Sequence, residues 1–286
     1  MNKSAENESW DLVIEPKVKL LDFNLKEVWK YRDLLMLFVK RDLVTVYQQT
    51  ILGPLWFFLQ PILTSFTYFI VFGKIANIGT GEVPQMLFYL SGITIWNYFT
   101  TCLNGASSTF STNANIFGKV YFPRIVTPLS ALLSNIVKFF IQLLPLIILY
   151  VSFVLKGADV RPSWEMILLP LMLFYAGFMG MSIGLVVSSL TTKYRDFSFV
   201  MTIVVQSLMY LSTVIYPIEK VNNPILKKII QLNPMTWVID SFRVACFGHS
   251  QIDWYGMFIS GIVTIVLFFF GLIMFNKTEK TFIDTV

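Results

Sequence analysis

Charged residues are scarce in this chain. Asp, Glu, Lys and Arg make up 14% of its 286 residues, against about 25% in an ordinary soluble domain. Histidine occurs once, at His249, and cysteine twice, at Cys102 and Cys246. The cysteines lie far apart and outside any metal-ligand spacing, which argues against a His/Cys metal centre. Acids are nearly missing from the long apolar runs. That speaks against a proton- or sodium-coupled pump, which uses ionisable groups within its spans. There is no H-E-x-x-H, no nucleophile elbow and no Gly-rich phosphate loop, so no catalytic site is expected in this chain. No Lys/Arg run is long enough to track nucleic acid. The polar, mixed-charge first twenty residues predict no signal peptide.

Apolar surface is plentiful instead. The chain is 55% hydrophobic, with 27 Phe, 12 Tyr and 7 Trp, and its mean hydropathy is +0.66. One water-soluble core cannot hide that much, so the sequence predicts a polytopic membrane protein. About 20 mostly apolar residues cross a hydrocarbon core about 30 Å thick. Six stretches qualify, roughly Leu55–Ala76, Met86–Phe110, Ile125–Leu155, Trp164–Leu190, Phe197–Tyr216 and Tyr255–Phe275. Backbone groups in hydrocarbon must pair internally, so each is expected to be helical. The predicted fold is all-α, with a cytoplasmic N-terminal segment over 1–53 and a six-span domain over 54–286. With both termini cytoplasmic, fourteen Lys and Arg residues lie inside and seven outside, while Lys138 falls within a span. That excess favours both termini inside.

Two segments are apolar yet too irregular to be ordinary spans. Residues Lys17 to Gln49 mix charged and apolar positions, and Lys40, Arg41 and Asp42 punctuate the run from Leu34 to Val46. This pattern suits an amphipathic helix in the cytoplasmic interface, or else a cytosolic helix packed on a partner. Residues 217–248 hold Pro217, Pro224 and Pro234, and a proline disfavours helix in the residue before it. Two short helices are expected, about Pro224–Leu232 and Pro234–Phe247. They either re-enter the outer leaflet or form an external loop.

Polar residues inside the spans fall on faces. In the second span Asn97, Thr100, Thr101, Asn104, Ser107, Ser108 and Ser111 share one side of a helix, opposite Ile95, Phe99 and Leu103. Such a stripe lines water or bonds another helix. In the third, Ser130, Ser134, Lys138 and Gln142 recur every fourth residue. An ammonium facing lipid is costly, so Lys138 is expected to face a cavity, a partner or a lipid phosphate, or to snorkel to the interface. Asn97, Thr101, Asn104, Ser108, Lys138 and Gln142 are the candidate channel lining. In the fourth span Ala176, Gly180, Gly184 and Ser188 form a small-residue stripe suited to close helix packing.

Five stretches, in order and across nearly the whole chain, carry a likeness to a known family. They are Leu34–Pro61, Asn113–Pro128, Thr191–Phe197, Tyr216–Arg243 and Phe275–Phe282, with R-D-L plus L-G-x-L-W, and Y-P with L-N-P and F-R, as the most specific combinations. The chain resembles the permease subunit of type-2 ABC exporters of lipid-linked cell-surface polysaccharide, the group that handles O-antigens, capsules and teichoic acids. The resemblance implies a permease homodimer in the bacterial inner membrane, bound to two ATPase subunits that hold the ATP and Mg, with no cofactor in this chain. It implies that Asn113–Arg124 is the loop that docks on the ATPase, with Asn115, Ile116, Phe117, Lys119, Val120, Tyr121 and Arg124 as contacts. It implies a polyprenyl-pyrophosphate-linked glycan as substrate, whose phosphates would meet Lys40 and Arg41 through charge-assisted hydrogen bonds. Sugar rings sit well on aromatic faces, so Trp56, Tyr68, Tyr98 and Tyr216 are candidate glycan contacts. Rival readings are a permease of the same fold for a drug or another lipid, a secondary transporter, and an integral glycosyltransferase. Missing intramembrane acids and inverted repeats disfavour the secondary transporter. Asp42, Asp196 and Glu279 are too scattered for the glycosyltransferase.

Overall fold

The computed structural model describes residues 25–48, 53 and 55–282. The first part of the expected interface segment, Lys17–Asn24, and Gln49, Leu52 and Pro54 lie outside the described residues. Among the described residues the elements are all helical. A short α1 (Leu25–Lys30) leads into α2 (Arg32–Gln48). The α3 helix (Leu55–Tyr68) widens into a π-helical turn at Phe69–Ile75. Next come α4 (Gln85–Ser107), α5 (Thr109–Phe117), α6 (Val126–Leu155), α7 (Leu169–Lys193) and α8 (Phe197–Tyr210). The chain ends in α9 (Pro224–Leu232), α10 (Pro234–Phe247) and α11 (Trp254–Phe282).

Among the described residues, four helical stretches are long and apolar enough to cross a membrane: Leu55–Ile75, Val126–Leu155, Trp164–Lys193 and Trp254–Glu279. The other two expected spans fall short for different reasons. The α4 helix has the length, 23 residues, but Asn97, Thr100, Thr101, Asn104 and Ser107 dilute its apolar character. The α8 helix is apolar but only 14 residues long, roughly 21 Å at 1.5 Å per residue. The expected run to Tyr216 stops early because side chains from further along the chain take its carbonyls. Asn233 Nδ2 donates to the Leu208 and Leu211 carbonyls, both at 3.1 Å. Arg243 donates to the carbonyls of Thr213 and Val214. Backbone so supplied survives in an apolar setting without continuing as helix.

The core forms around α4, whose Leu87, Tyr89, Ile95, Phe99 and Leu103 are all buried. Its closest neighbour is α7, and the small-residue stripe explains why. A Cβ on Gly180 would come within 2.4 Å of the Phe99 carbonyl, and one on Gly184 within 2.6 Å of the Leu103 carbonyl. Only glycine permits that approach, so the two helices pack backbone against backbone. The α11 helix covers the other side of α7, where Gly271 would meet the Ser182 carbonyl at 2.7 Å if it carried a Cβ.

Local chemistry defines α9 and α10, which have the bounds the prolines predict. Asn223 accepts from the amides of Ile225 and Leu226, and Asn233 from that of Met235. Each Asn is thus an N-cap directly before a proline at the first helical position. Gly248, at φ 72°, ends α10 in the left-handed conformation that glycine adopts at least cost.

Candidate functional site

The polar faces of α4 and α6 meet at an open cavity of about 390 Å³, bordered by α2, α3 and α5. Thr101, Asn104 and Ser108 of α4 line it, with Ser134, Asn135 and Lys138 of α6, Thr112 and Asn113 of α5, and Phe57 of α3. From α2 come Arg41 and Asp42. Gly105 lets α4 and α6 close the wall, since a Cβ there would sit 2.9 Å from that of Ala131.

Two cations therefore face one polar space. Lys138 Nζ donates to Asn135 Oδ1 at 3.0 Å and stands 6.0 Å from the centre of the Phe57 ring. Arg41 donates through Nε and Nη2 to Asp42 Oδ1, at 3.0 and 2.9 Å, and through Nη1 to Asn113 Oδ1 at 3.2 Å. Its guanidinium lies 4.6 Å from the centre of the Phe38 ring. Asp42 offsets one of the two positive charges, so the local balance remains positive. A low-dielectric surrounding makes such a balance felt strongly by an anionic group.

The hydroxyls of the walls are satisfied within their own helices. Thr100, Thr101, Ser107 and Ser108 donate to carbonyls three residues back on α4, and Ser130 and Ser134 do the same on α6. The hydroxyls of the α4 stripe are thus bonded within that helix. Their oxygens retain accepting capacity toward the cavity.

The expected lining is brought together in part. Asn97 lies one turn of α4 beyond Thr101, half-buried and off the cavity. Gln142 lies one turn of α6 past Lys138, buried, with Oε1 lacking a hydrogen-bond partner among the described residues. Lys40 is exposed on α2 and turned away from the cavity that Arg41 lines. The four aromatic candidates do not converge. Trp56 is exposed on α3. Tyr68 is half-buried, with its hydroxyl 3.8 Å from Met209 Sδ. Tyr98 is buried against Phe139, at a separate apolar cavity of about 370 Å³ bounded by Phe140, Phe174 and Phe242. Tyr216 donates its hydroxyl to the Tyr210 carbonyl, just past the end of α8.

The segment expected to dock on a partner begins inside α5, because Asn113–Phe117 complete that helix. Its members point in two directions. Asn115, Lys119, Val120 and Tyr121 are exposed, Val120 and Tyr121 by 56% and 59%. Ile116 and Phe117 are half-buried and pack on the cluster of Phe38, Phe122 and Val126, which ties the segment to α2. Arg124 is buried beneath the tip. Its Nη1 donates to the Glu279 carbonyl at 2.9 Å, and its Nε stands 3.8 Å from Glu279 Oε1 at the end of α11. Burial pulls its pKa below the usual arginine value, and the Glu279 carboxylate works against that shift. Burial pushes the Tyr121 phenol up, aided by the Glu27 and Glu279 carboxylates.

A family model for ABC-2 type transporters matches residues 33–247, the region that builds both the cavity and the tip. The chain belongs to the ABC-2 type transporter family. It is 23% identical over 263 residues to the O-antigen export system permease protein RfbA of Myxococcus xanthus, covering 92% of this chain and 98% of the relative. The Klebsiella pneumoniae protein of the same name is 26% identical over 254 residues, covering 88% and 94%. The capsule polysaccharide export inner-membrane protein CtrC of Neisseria meningitidis serogroup B is 22% identical over 241 residues, covering 84% and 89%.

Within this ABC-2 transporter, several cavity residues lay outside the sequence expectations: Asp42, Phe57, Thr112, Asn113 and Asn135. Asn135 carried a signal, since it precedes Lys138 by one helical turn. Asn113 carried none, because its side chain reaches the cavity only where α5 turns under α2. A second buried hub also escaped notice. Arg243 on α10 donates to the carbonyls of Phe88, Thr213 and Val214 and stacks 3.5 Å over the Phe88 ring.

Proposed function

We propose that this chain is the channel-forming membrane subunit of an ATP-driven exporter of a polyprenyl-pyrophosphate-linked polysaccharide, of the O-antigen or capsule kind. The observation that carries the reading is the cavity in which Arg41 of α2 and Lys138 of α6 stand over one polar space. Two cations with hydrogen-bonding asparagines beside them suit a diphosphate, which accepts several charge-assisted bonds at once. Relatives matched along nearly their whole length, and named for O-antigen and capsule export, support the substrate class.

In this reading α3, α4, α6, α7, α8 and α11 are six spans, with α8 completed by the supported turn at 211–216. Both termini lie on the cytoplasmic side of the bacterial inner membrane. The α2 helix lies in the cytoplasmic interface, exposing Met36 and Leu37 to lipid while Phe38 packs inward. The α9–α10 pair re-enters at the outer side. Two copies of the chain join two ATPase subunits, and Lys119, Val120 and Tyr121 are the contacts on each ATPase. ATP-driven closure of the ATPases moves those tips, the headgroup leaves the Arg41–Lys138 cavity, and the glycan follows along the polar face of α4.

The test is co-expression with the candidate ATPase, followed by reconstitution with a lipid-linked glycan. Export that needs ATP and collapses when residues 118–121 are scrambled is the expected result. Export that persists without the ATPase overturns the reading and moves a secondary transporter to the front.

A further inference from the structure

The exposed tip is continuous with α5 and α6 through the chain and packs on α2 at Phe38, and it has a further attachment. Arg124 holds the end of α11 through the Glu279 carbonyl and carboxylate. Below that clasp the Phe110 and Phe275 rings stack at 4.8 Å, with Leu272 and Phe268 in the same cluster. The far part of α11 is fastened as well. Ser260 Oγ donates to the Pro234 carbonyl at 2.6 Å, at the first residue of α10. Gly256 lies directly under Trp237, where a Cβ would come within 2.2 Å of the ring. Between Ser260 and Glu279 runs helix without proline, about 28 Å long at 1.5 Å per residue.

Two other routes leave the tip. One is α5 and α4, which Arg243 of α10 bonds at the Phe88 carbonyl at 3.1 Å. The other is α6, which meets α10 through ring contacts, Phe139 with Phe242 and Tyr150 with Phe247, both at 6.4 Å. Dispersion contacts of that kind are individually weak. A hydrogen bond to a backbone carbonyl, and an indole seated on a glycine, hold a register instead.

We propose that α11 is the rod that carries motion of the 118–121 tip to the α9–α10 pair at the opposite end of the molecule, with Arg124 and Ser260 as the positioning residues that fasten its two ends. The proposal rests on the exporter reading, in which the tip meets the ATPase and α9–α10 re-enters at the outer side. Coupling between distant sites needs an element that both ends bias, and α11 is attached to both.

The experiment uses the complete exporter, permease with ATPase, in proteoliposomes. Lys228→Cys, on the exposed side of α9, reports ATP-dependent labelling by an impermeant maleimide. Arg124→Met and Ser260→Ala are each added to that background. Ser260→Ala is expected to hold the ATPase and hydrolyse ATP within about twofold of the reporter protein. ATP-dependent labelling and export should each fall by at least about fivefold, the lower range of an allosteric coupling. Arg124→Lys, which keeps a donor toward Glu279, should restore part of both. A purely structural role would lower assembly and hydrolysis together and leave export per ATP unchanged, which overturns the proposal. If Arg124→Met does not assemble, Ser260→Ala decides alone, because it leaves the tip untouched. Retained ATP-dependent labelling in Ser260→Ala overturns the proposal. A reporter exporter that shows no ATP-dependent export in any background overturns the exporter reading itself, and the rod with it.

Discussion

Removing the Arg243 guanidinium strips the junction of α4, α10 and the segment after α8 of a major hydrogen-bond donor. The group is 6% exposed. It donates to the carbonyls of Phe88 at 3.1 Å, Val214 at 2.9 Å and Thr213, and to Ser91 Oγ at 3.4 Å, with Asp240 Oδ1 at 3.5 Å. Arg243→Ala leaves the Thr213 and Val214 carbonyls, which lie beyond the end of α8, without that donor. A buried polar group left unpaired costs about 1–3 kcal/mol, and breaking one side of a buried ion pair costs about 3–5 kcal/mol. Overlap between those terms keeps the expected loss near 3–5 kcal/mol. At roughly 2–4 °C per kcal/mol for a chain of this size, the apparent melting temperature should fall by about 10 °C. Fluorescence-monitored melting of the purified protein in detergent measures it. Arg243→Met combined with Asp240→Asn should recover part of the loss, because removing both charges is milder than stranding one. An Arg243→Ala protein that melts within about 2 °C of the parent refutes the argument.

Other residues give sharper, smaller tests. Gly180→Leu should force α4 and α7 apart and cost at least about 1–3 kcal/mol as overpacking, seen as loss of the monodisperse peak in size-exclusion chromatography, with Gly180→Ala milder. Asn233→Ala removes an N-cap, worth about 1 kcal/mol, together with the donors to Leu208 and Leu211, so its melting loss should exceed that of Asn223→Ala, which removes a cap alone. Arg41→Met and Lys138→Met should each weaken binding of a diphosphate-headed lipid about tenfold, the worth of one charge-assisted hydrogen bond, while Lys40→Met should not; equal effects at all three positions would reduce the cavity to a general surface charge. Val120→Asp and Tyr121→Asp should abolish ATPase association without lowering the melting temperature, whereas a loss confined to melting would place those side chains in the fold.

Where helix boundaries are written locally, the sequence disclosed them. Asn223-Pro224 and Asn233-Pro234 each combine a cap with a proline at the first helical position, and α9 and α10 start there. The polar stripe was legible for the same reason as far as Ser107, where α4 ends; Ser108 caps that helix and Ser111 lies on α5. The early stop of α8 was not. It depends on Asn233 and Arg243, which reach back to carbonyls more than twenty residues upstream, and nothing within Phe197–Tyr216 marks the point. Likewise the reach of the cavity is set by Arg41 and Asn113 arriving from α2 and α5, so the stripe alone did not show that Asn97 and Gln142 fall outside it.

The basic residues give the clearest account of this limit. Arg41, Lys138, Arg124 and Arg243 all stand in or beside apolar sequence, and from the sequence each is open to the same readings, as a ligand for an anion, a docking contact or an anchor. The structure divides them by what already occupies their donors. Arg124 and Arg243 give hydrogen bonds to backbone carbonyls and are buried, so they hold the chain to itself. Arg41 and Lys138 bond side-chain oxygens at the rim of a cavity they line, partners that an incoming phosphate can displace or share. Which carbonyls lie near a guanidinium is a property of the packed helices: Thr213 and Val214 follow the end of α8, whereas Phe88 lies in the first turn of α4. A cation that satisfies the fold and one that serves a ligand therefore differ in their neighbours across the packing, while their positions along the chain look alike.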